Sequence, residues 1–366
     1  MTLCTKLSPP QPQEDVAYLD AMAWTVPNYT RGEVDRAGRT FLDSSASPAD
    51  RELARATINN WRSSHSFPLN TLQVNLRKKV TKVDPEGLVA QRIKRLPSIQ
   101  QKLIHQPKML LSRMQDIGGC RGVVADVASV EAVVDAFEHG RQLHRLARHD
   151  DYITFPKESG YRGHHLVYRY QGDQKTTYNG LSIEVQVRTR LQHAWATAVE
   201  TVGTFTRQSL KSSRGEEDWL RFFALMSTEM AQEEGTPPVP NTPTDASQLK
   251  RELAKLTQDL DVLSRLEAFA ATLRSIEDAE AFGPRDKYFV LELDVEPDRA
   301  KLTVRGYRDL VTATDEYGAL ELAAEQESSL DVVLVSVSAL TSLRRAYPNY
   351  YLDTEVFRSA LRTFIR

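Results

Sequence analysis

Leu181-Ser182-Ile183-Glu184-Val185-Gln186-Val187-Arg188 alternates strictly between apolar and polar side chains. Two-residue periodicity belongs to a β-strand, so Leu181, Ile183, Val185 and Val187 face a core while Glu184, Gln186 and Arg188 project together from the other face. Asn179-Gly180, just ahead, is a turn signal. Upstream, Asp151-Tyr152-Ile153-Thr154-Phe155-Pro156-Lys157-Glu158-Ser159-Gly160-Tyr161-Arg162-Gly163-His164-His165 reads as a loop gathering a lysine, an exposed tyrosine and a histidine. By itself the strand reads equally as an amphipathic edge with solvated charges. With the loop beside it, the two segments supply a phosphate anchor, a platform for a base and a carboxylate for metal or proton work. That set suits phosphoryl-type transfer between nucleotides.

Composition narrows the classes. With 366 residues the chain calls for two domains, because a single core rarely grows past about 250–300 residues. It is 41% hydrophobic and 26% charged with a net charge of -2, a soluble globular balance that argues against a purely electrostatic nucleic-acid binder. Cys4 and Cys120 cannot build a disulfide framework, so a reducing cytosol is expected. The N-terminus lacks the apolar core of a signal peptide, no stretch reads as a membrane span, and no internal repeat is visible.

Residues before about Asp15, with Pro9, Pro10 and Pro12, read as disordered. Residues 51–61 carry helical spacing, 88–94 read as a strand, and Pro97 suits the first turn of a helix running towards Ile104. Residues 120–127 read as a strand, 129–147 as an amphipathic helix, and 166–171 as a further strand. The proline-rich stretch 235–243 excludes regular helix and reads as a linker. Residues 247–276 then read as one long helix with Leu249, Leu253, Leu256, Leu260, Leu263 and Leu266 at near-heptad spacing, either a connecting helix or a dimer seam. Gly283-Pro284 closes it. The tail reads as strands at 288–293, 301–307 and 331–337, a Glu296-Pro297-Asp298 turn, and helices at about 315–326 and from Thr354.

Arg92 and Lys94 share a strand face, and Ser98 and Lys102 share a helix face, which together make a triphosphate cradle or a solvated basic surface. Asp116 precedes Ile117-Gly118-Gly119-Cys120-Arg121, a glycine-rich approach to a strand that lets backbone lie close to a polyphosphate. Asp116 and Glu184, on separate strands, are the natural pair for Mg²⁺, which takes carboxylates plus substrate phosphates. On the helix after Arg188, His193, Thr197 and Glu200 lie opposite an apolar stripe of Leu191, Ala194, Trp195, Ala198 and Val202.

In this order the segments resemble the RelA/SpoT-type alarmone synthetase domain. Its pattern is R-x-K-x-x-x-S-x-x-x-K, D-[IL]-x-G-x-R, P-K-x-x-G-Y-x-x-x-H and E-[VI]-Q-[VI]-R-T, met here by Arg92 to Lys102, Asp116 and Arg121, Pro156 to His165, and Glu184 to Thr189. The resemblance implies that Arg92, Lys94, Ser98, Lys102 and Arg121 serve ATP. Asp116 and Glu184 would bind Mg²⁺, with Glu184 also deprotonating the attacking hydroxyl. Tyr161 would stack on the acceptor base among Lys157, His165, Gln186 and His193. The acceptor loop departs from the family at Ser159, where asparagine is common, and at Gly163, where serine is common, which puts the acceptor in doubt more than the donor. No His-Asp hydrolase pair precedes Arg92, as in the small single-activity synthetases.

Every cysteine and histidine lies at or before His193, so the tail cannot build a Cys/His zinc site. It carries Tyr347-Pro348-Asn349-Tyr350-Tyr351 on a proline turn, either a contact surface or the closure of the tail's own core. A synthetase, a helical connection and a zinc-free small domain with Tyr-x-x-Tyr resemble CapRel-type fused toxin–antitoxin proteins. That resemblance implies an α+β fold: a mixed-sheet, nucleotidyltransferase-like synthetase over 1–232, a linker and helix over 233–283, and a small α/β, pseudo-zinc-finger-like regulatory domain over 284–366. It implies pyrophosphate transfer from ATP to the 3′-CCA end of tRNA, blockage of the ATP site by Tyr347 and Tyr350, and release by a phage protein such as the major capsid protein.

GDP or GTP is the competing acceptor. Arg77-Lys78-Lys79-Val80-Thr81-Lys82 is a basic run suited to acceptor-stem phosphates or to a solvated face. A non-catalytic nucleotide-binding regulator is disfavoured by the presence of both Asp116 and Glu184, and a scaffold dimerising through the leucine-spaced helix is a further alternative.

Overall fold

The chain's helices and strands follow its local chemistry closely at their starts. In the computed structural model, Thr30 and Glu33 form a reciprocal capping box ahead of α1 (Arg31–Leu42), and Ser47 caps α2 (Pro48–Ser64) with Pro48 in the first turn. The structure describes residues 24–366 except 142, 207–209, 211–215, 278–285, 296–299, 325–329, 337–342, 349, 352 and 366. The segment before Asp15 and the turns at Gly283-Pro284 and Glu296-Pro297-Asp298 lie outside the described residues.

After α3 (Ser66–Val83) come β1 (Leu88–Ile93), α4 (Leu96–His105), β2 (Gly118–Val124), α5 (Val127–Glu138), β3 (Arg145–Asp151), β4 (His164–Arg169) and β5 (Ser182–Thr189). Four helices follow: α6 (Arg190–Thr206), α7 (Glu217–Glu233), α8 (Ala246–Asp259) and α9 (Val262–Thr272). The tail adds β6 (Leu273–Glu277), β7 (Tyr288–Val295), β8 (Ala300–Tyr307), α10 (Leu310–Ala324), β9 (Leu330–Ser336), α11 (Leu343–Ala346) and α12 (Glu355–Phe364). Among the described residues the strands form one mixed sheet, ordered β3-β4-β5-β2-β1-β9-β7-β8-β6. The β2–β5 and β6–β8 pairs are parallel and the rest antiparallel.

The alternation of β5 holds. Ile183, Val185 and Val187 are fully buried in a core shared with Leu69, Leu72, Leu76 and Val80 of α3. That helix lies so close to β2 that a Cβ on Gly122 would meet Val80 at 2.9 Å, so only glycine fits there. A second core joins α6, α7, α8, α9 and α12 through Trp195, Trp219, Phe222, Leu253, Leu266 and Phe357.

Several expectations are corrected. The helix expected over 129–147 ends at Glu138, and the charged sequence from Arg145 forms β3 at the sheet edge, where charge guards against edge pairing. The single helix expected over 247–276 breaks into α8 and α9, with Asp261 at φ 47°, and its end becomes β6. Leu249, Leu253 and Leu266 are wholly buried in their own chain, which removes the dimer-seam reading. The stretch 235–243 is packed rather than free: Val239 is buried, its N–H donates to Thr228 Oγ1 at 3.1 Å, and Arg162 donates to Pro237 O at 2.5 Å. The tail, read as a small α/β module, shares its sheet with the first half. Its β9 pairs with β1 at Gln91↔Ser336 and Arg92↔Val335, so one sheet runs through both halves. Its helix α10 also begins earlier than expected, at Leu310.

Candidate active site

Pairing registers set the rows of the site. Arg92 lies opposite Gly119, which lies beside Glu184; Arg121 lies beside Gln186, which lies opposite His165. Directly paired residues share a face. One face of four adjacent strands therefore presents Arg92, Arg121, Glu184, Gln186 and His165.

Asp116 sits where the chain enters β2. Lys94 Nζ donates to its Oδ2 at 2.7 Å and Lys102 Nζ to its Oδ1 at 2.9 Å. Burial alone would raise the Asp116 carboxyl, but the two ammonium groups hold it well below the usual carboxylate range. Burial lowers Lys94, with Asp116 opposing. Ser98 stands half-buried one turn before Lys102 on α4.

A hydrogen-bonded chain runs through the acceptor side. The Tyr161 hydroxyl lies 2.6 Å from His165 Nε2, and His165 Nδ1 lies 2.9 Å from Glu184 Oε1. The network assigns Nδ1–H as donor to Glu184 and leaves Nε2 to accept from Tyr161. Gln186 Nε2 donates to Glu184 Oε2 at 2.6 Å. Burial would raise Glu184, yet the His165 contact and the Gln186 bond leave it lowered, while burial pushes Tyr161 up to about 12. Glu184 is thus a carboxylate and Tyr161 a neutral phenol near neutral pH.

Tyr161 is half-buried rather than exposed, because Lys157 and Trp195 crowd it. Lys157 Nζ lies 4.1 Å from the Tyr152 ring centroid and 5.2 Å from that of Tyr161. Gly160 takes φ 90° and a Cβ there would meet Ser227 and Trp195 at 2.9 Å, so the loop needs glycine at that point. His193 is buried, not on an open helix face, and its Nδ1 contacts Arg188. Burial, then the charge of Arg121, lowers Arg188 to about 9.

Three contributors were given no role in the sequence reading. Tyr152 packs edge-on to Tyr161 and His165. Arg162, inside the loop motif, is buried and ties the loop to Ser227 Oγ at 3.1 Å and Ile153 O at 3.2 Å. Glu200 acts electrostatically on Arg95, Arg121 and Arg188. The basic run over 77–82 is not assembled with these groups. It lies on α3, whose apolar side packs the opposite sheet face, and Lys79 is spent on Ala136 O at 2.5 Å.

The tail meets the sheet beside Arg121. The Tyr347 hydroxyl donates to Gln91 O at 2.6 Å, and Arg121 Cζ lies 5.8 Å from its ring centroid. Tyr350 is buried and hydrogen-bonded to Arg95, which also pairs with Asp331. Behind them, Arg62 donates to Glu321 at 2.7 and 3.0 Å and to the Tyr317 hydroxyl at 2.9 Å, and Leu96 N donates to Glu321 Oε1 at 2.7 Å.

Among the described residues no group of three or more His, Cys, Asp or Glu side chains is placed to hold a metal. Asp116 nevertheless lies near enough to Glu184 for its charge to raise that carboxyl, and two such carboxylates suit Mg²⁺, which would complete its shell with substrate phosphates and water. Asp116 would be freed for this as Lys94 and Lys102 turn to phosphate.

Residues 91–205 match the family described as the region found in RelA / SpoT proteins. The chain is 32% identical over 115 residues to the GTP pyrophosphokinase YjbM of Bacillus subtilis, covering 31% of this chain and 54% of that one. It is 28% identical over 110 residues to the GTP pyrophosphokinase YwaC of the same organism, covering 29% and 52%. The chain thus spans about half the length of the curated relatives it matches. Among solved structures it is similar to small alarmone synthetase 1 from Bacillus subtilis bound to its product pppGpp, with 23% identity, TM-score 0.42, and coverage of 50% of this chain and 94% of that one. Each sequence-predicted donor, acceptor and carboxylate residue falls inside the matched segment; Tyr347 and Tyr350 fall outside it. No helix of the described residues is long and apolar enough to cross a membrane.

Proposed function

We propose that this chain is an ATP-dependent pyrophosphokinase whose acceptor is a ribose 3′-hydroxyl and whose own tail holds it closed. The observation that carries the reading is the pairing of two differently dressed carboxylates, Asp116 between two lysines and Glu184 at the end of the Tyr161–His165 chain. Arg92, Lys94, Ser98, Lys102 and Arg121 would hold the ATP phosphates. Tyr161 and Lys157 would hold the acceptor base, with Gln186 and His193 around it. Glu184 would take the proton from the 3′-hydroxyl, and His165 would stabilise it through the step. Mg²⁺ at Asp116 and Glu184 would neutralise charge on the β- and γ-phosphates. Attack at the β-phosphorus then moves pyrophosphate and releases AMP, a reaction that needs mainly positioning and charge neutralisation.

The contacts of Tyr347 with Arg121 and of Tyr350 with Arg95 support a site held off by its own tail, which suits a product harmful to its cell. We therefore read the 3′-CCA end of tRNA as acceptor, with inhibition of translation as the consequence. Release would come from an outside protein, such as a phage capsid protein, binding the tail. The names of YjbM and YwaC favour GDP or GTP as the second reading. Purified full-length chain should transfer label from ATP to one of GDP, GTP or tRNA offered side by side. Asp116→Asn and Glu184→Gln should each abolish that transfer while retaining native circular dichroism. Transfer by either folded variant would reject the assignment.

A further inference from the structure

The edge where β2 and β5 begin holds a cavity of about 270 Å³ that the proposed reaction leaves unused. Arg31, Arg113 and Arg169 line it together with Trp61 and His65, and no carboxylate is among its lining residues. Among the described residues, neither Arg113 nor Arg169 has an acidic partner. Arg31 donates one N–H to Gly180 O at 3.2 Å, which leaves most of its five donors unspent. Arg169 also lies directly opposite Arg145 across β3–β4, a like-charge pairing that an anion would relieve. Burial lowers His65 to about 4, so the positive charge of the cavity belongs to the arginines alone near neutral pH.

Its position relates it to the carboxylates. Gln115, in its wall, precedes Asp116, and Ser182 lies two residues before Glu184 on the same strand face, a step of roughly 6.6 Å. Arg169 pairs with Ser182 on the face that carries His165 and Glu184. The cavity therefore opens from the acceptor strands β4 and β5, not from the donor residues on β1. Its volume is below the roughly 300–1,000 Å³ typical of whole-ligand pockets, so it suits a phosphate group rather than a nucleoside. Guanidinium forks match phosphate oxygens in pairs.

We infer that the Arg31–Arg113–Arg169 cavity is an anion subsite that takes the 5′-phosphate group of the acceptor, anchoring the sugar whose 3′-hydroxyl faces Glu184. The assignment to the acceptor rests on the proposed reaction; the anion site itself does not. A phosphate of this kind can belong to a free nucleoside diphosphate or to the last linkage of an RNA strand.

The full-length chain labelled with 5-fluorotryptophan gives a local probe, since Trp61 lines the cavity and its resonance is assigned by Trp61→Phe. Titration with inorganic pyrophosphate should shift the Trp61 resonance, and Arg113→Ala/Arg169→Ala should weaken that binding about a hundredfold. No shift, or the same shift in the double variant, overturns the anion site. In transfer assays the double variant should raise KM for GDP or for a CCA-ending RNA by a similar factor, with kcat and the KM for ATP little changed. The acceptor affected identifies the source of the phosphate. A shifting Trp61 with unchanged KM for both acceptors overturns the acceptor assignment. Absence of transfer by the wild-type chain removes the proposed reaction and that assignment with it, while the fluorine titration still judges the anion site.

Discussion

Glu321 is the residue whose loss should open the molecule. Its carboxylate receives two guanidinium bonds from Arg62, at 2.7 and 3.0 Å, and one from the Leu96 amide at the start of α4, at 2.7 Å. Both partners of the ion pair are about 5% exposed, so neither is served by solvent. Burial works against the charge of Arg62, and Tyr317 and Glu321 outweigh it and raise the guanidinium above its ordinary value. Glu321→Ala leaves that buried cation uncompensated only while the tail is docked; undocked, Arg62 regains water. The cost to the docked state is about 3–5 kcal/mol. At about 1.4 kcal/mol per decade, the docking equilibrium should shift by roughly 10²–10⁴. If the docked tail excludes ATP, affinity for a non-hydrolysable ATP analogue should rise by up to that factor, bounded by the wild-type docking constant. Glu321→Gln keeps an acceptor for Leu96 N–H and should open the molecule less. The assay is analogue binding by calorimetry, with hydrogen exchange of β9 amides in parallel. Fast β9 exchange with unchanged analogue affinity would refute the tail as a gate. Slow β9 exchange in the Ala variant would refute Glu321 as the latch.

Two further outcomes are expected. Tyr161→Ala should raise the acceptor KM by a factor matching about 1–3 kcal/mol of base stacking and leave ATP binding unchanged; equal loss of both would show that the loop serves the donor. His65 is held neutral by burial, with a folded value of about 4 against 6.5, so the unfolded state binds its proton first. Stability should therefore fall as pH drops from 6.5 towards 4, by at most about 1.4 kcal/mol per pH unit. The slope of Tm against pH in that window should flatten in His65→Gln, and an unchanged slope would exclude His65 as its source.

What could be read from the chain in advance was whatever short periodicity or a contiguous motif carries. The alternation of residues 181–188 placed Glu184 and Gln186 on one face, and the run 88–94 read as the strand that the structure ends one residue sooner, at Ile93. Asp116 was legible as the carboxylate beside a glycine-rich strand, though not its capture by Lys94 and Lys102. The errors came where local and tertiary preferences diverge. Residues 145–151 are too charged to read as a strand, yet an edge position tolerates charge. Leu260 and Asp261 lack a conventional helix stop, and the break comes from fitting α8 and α9 into one core. Arg62 and Glu321 stand 259 residues apart, and no local pattern links them.

The continuity of the sheet decides how the tail can be tested. Arg92, a proposed ATP ligand, is also one of the two β1 residues paired with β9, so the seam between the halves runs through the donor site itself. Besides that two-pair register, the tail meets the first half through Tyr347 and Tyr350, the buried Arg62–Glu321 pair, the Arg95–Asp331 pair and the packing of α12 against α6 and α7, so loss of Glu321 should weaken docking without abolishing it. A chain cut near Glu280 would lose β7, β8 and β9 at once. That leaves the β1 edge and the buried Ala90, which packs against Phe289 and Leu291, open to water and to pairing with other chains. Inactivity of such a truncation would report aggregation as readily as a missing function. Single substitutions at Glu321 or Tyr350 keep β7, β8 and β9 in the chain and able to pair again with β1, so they distinguish a gate from a structural half of the sheet.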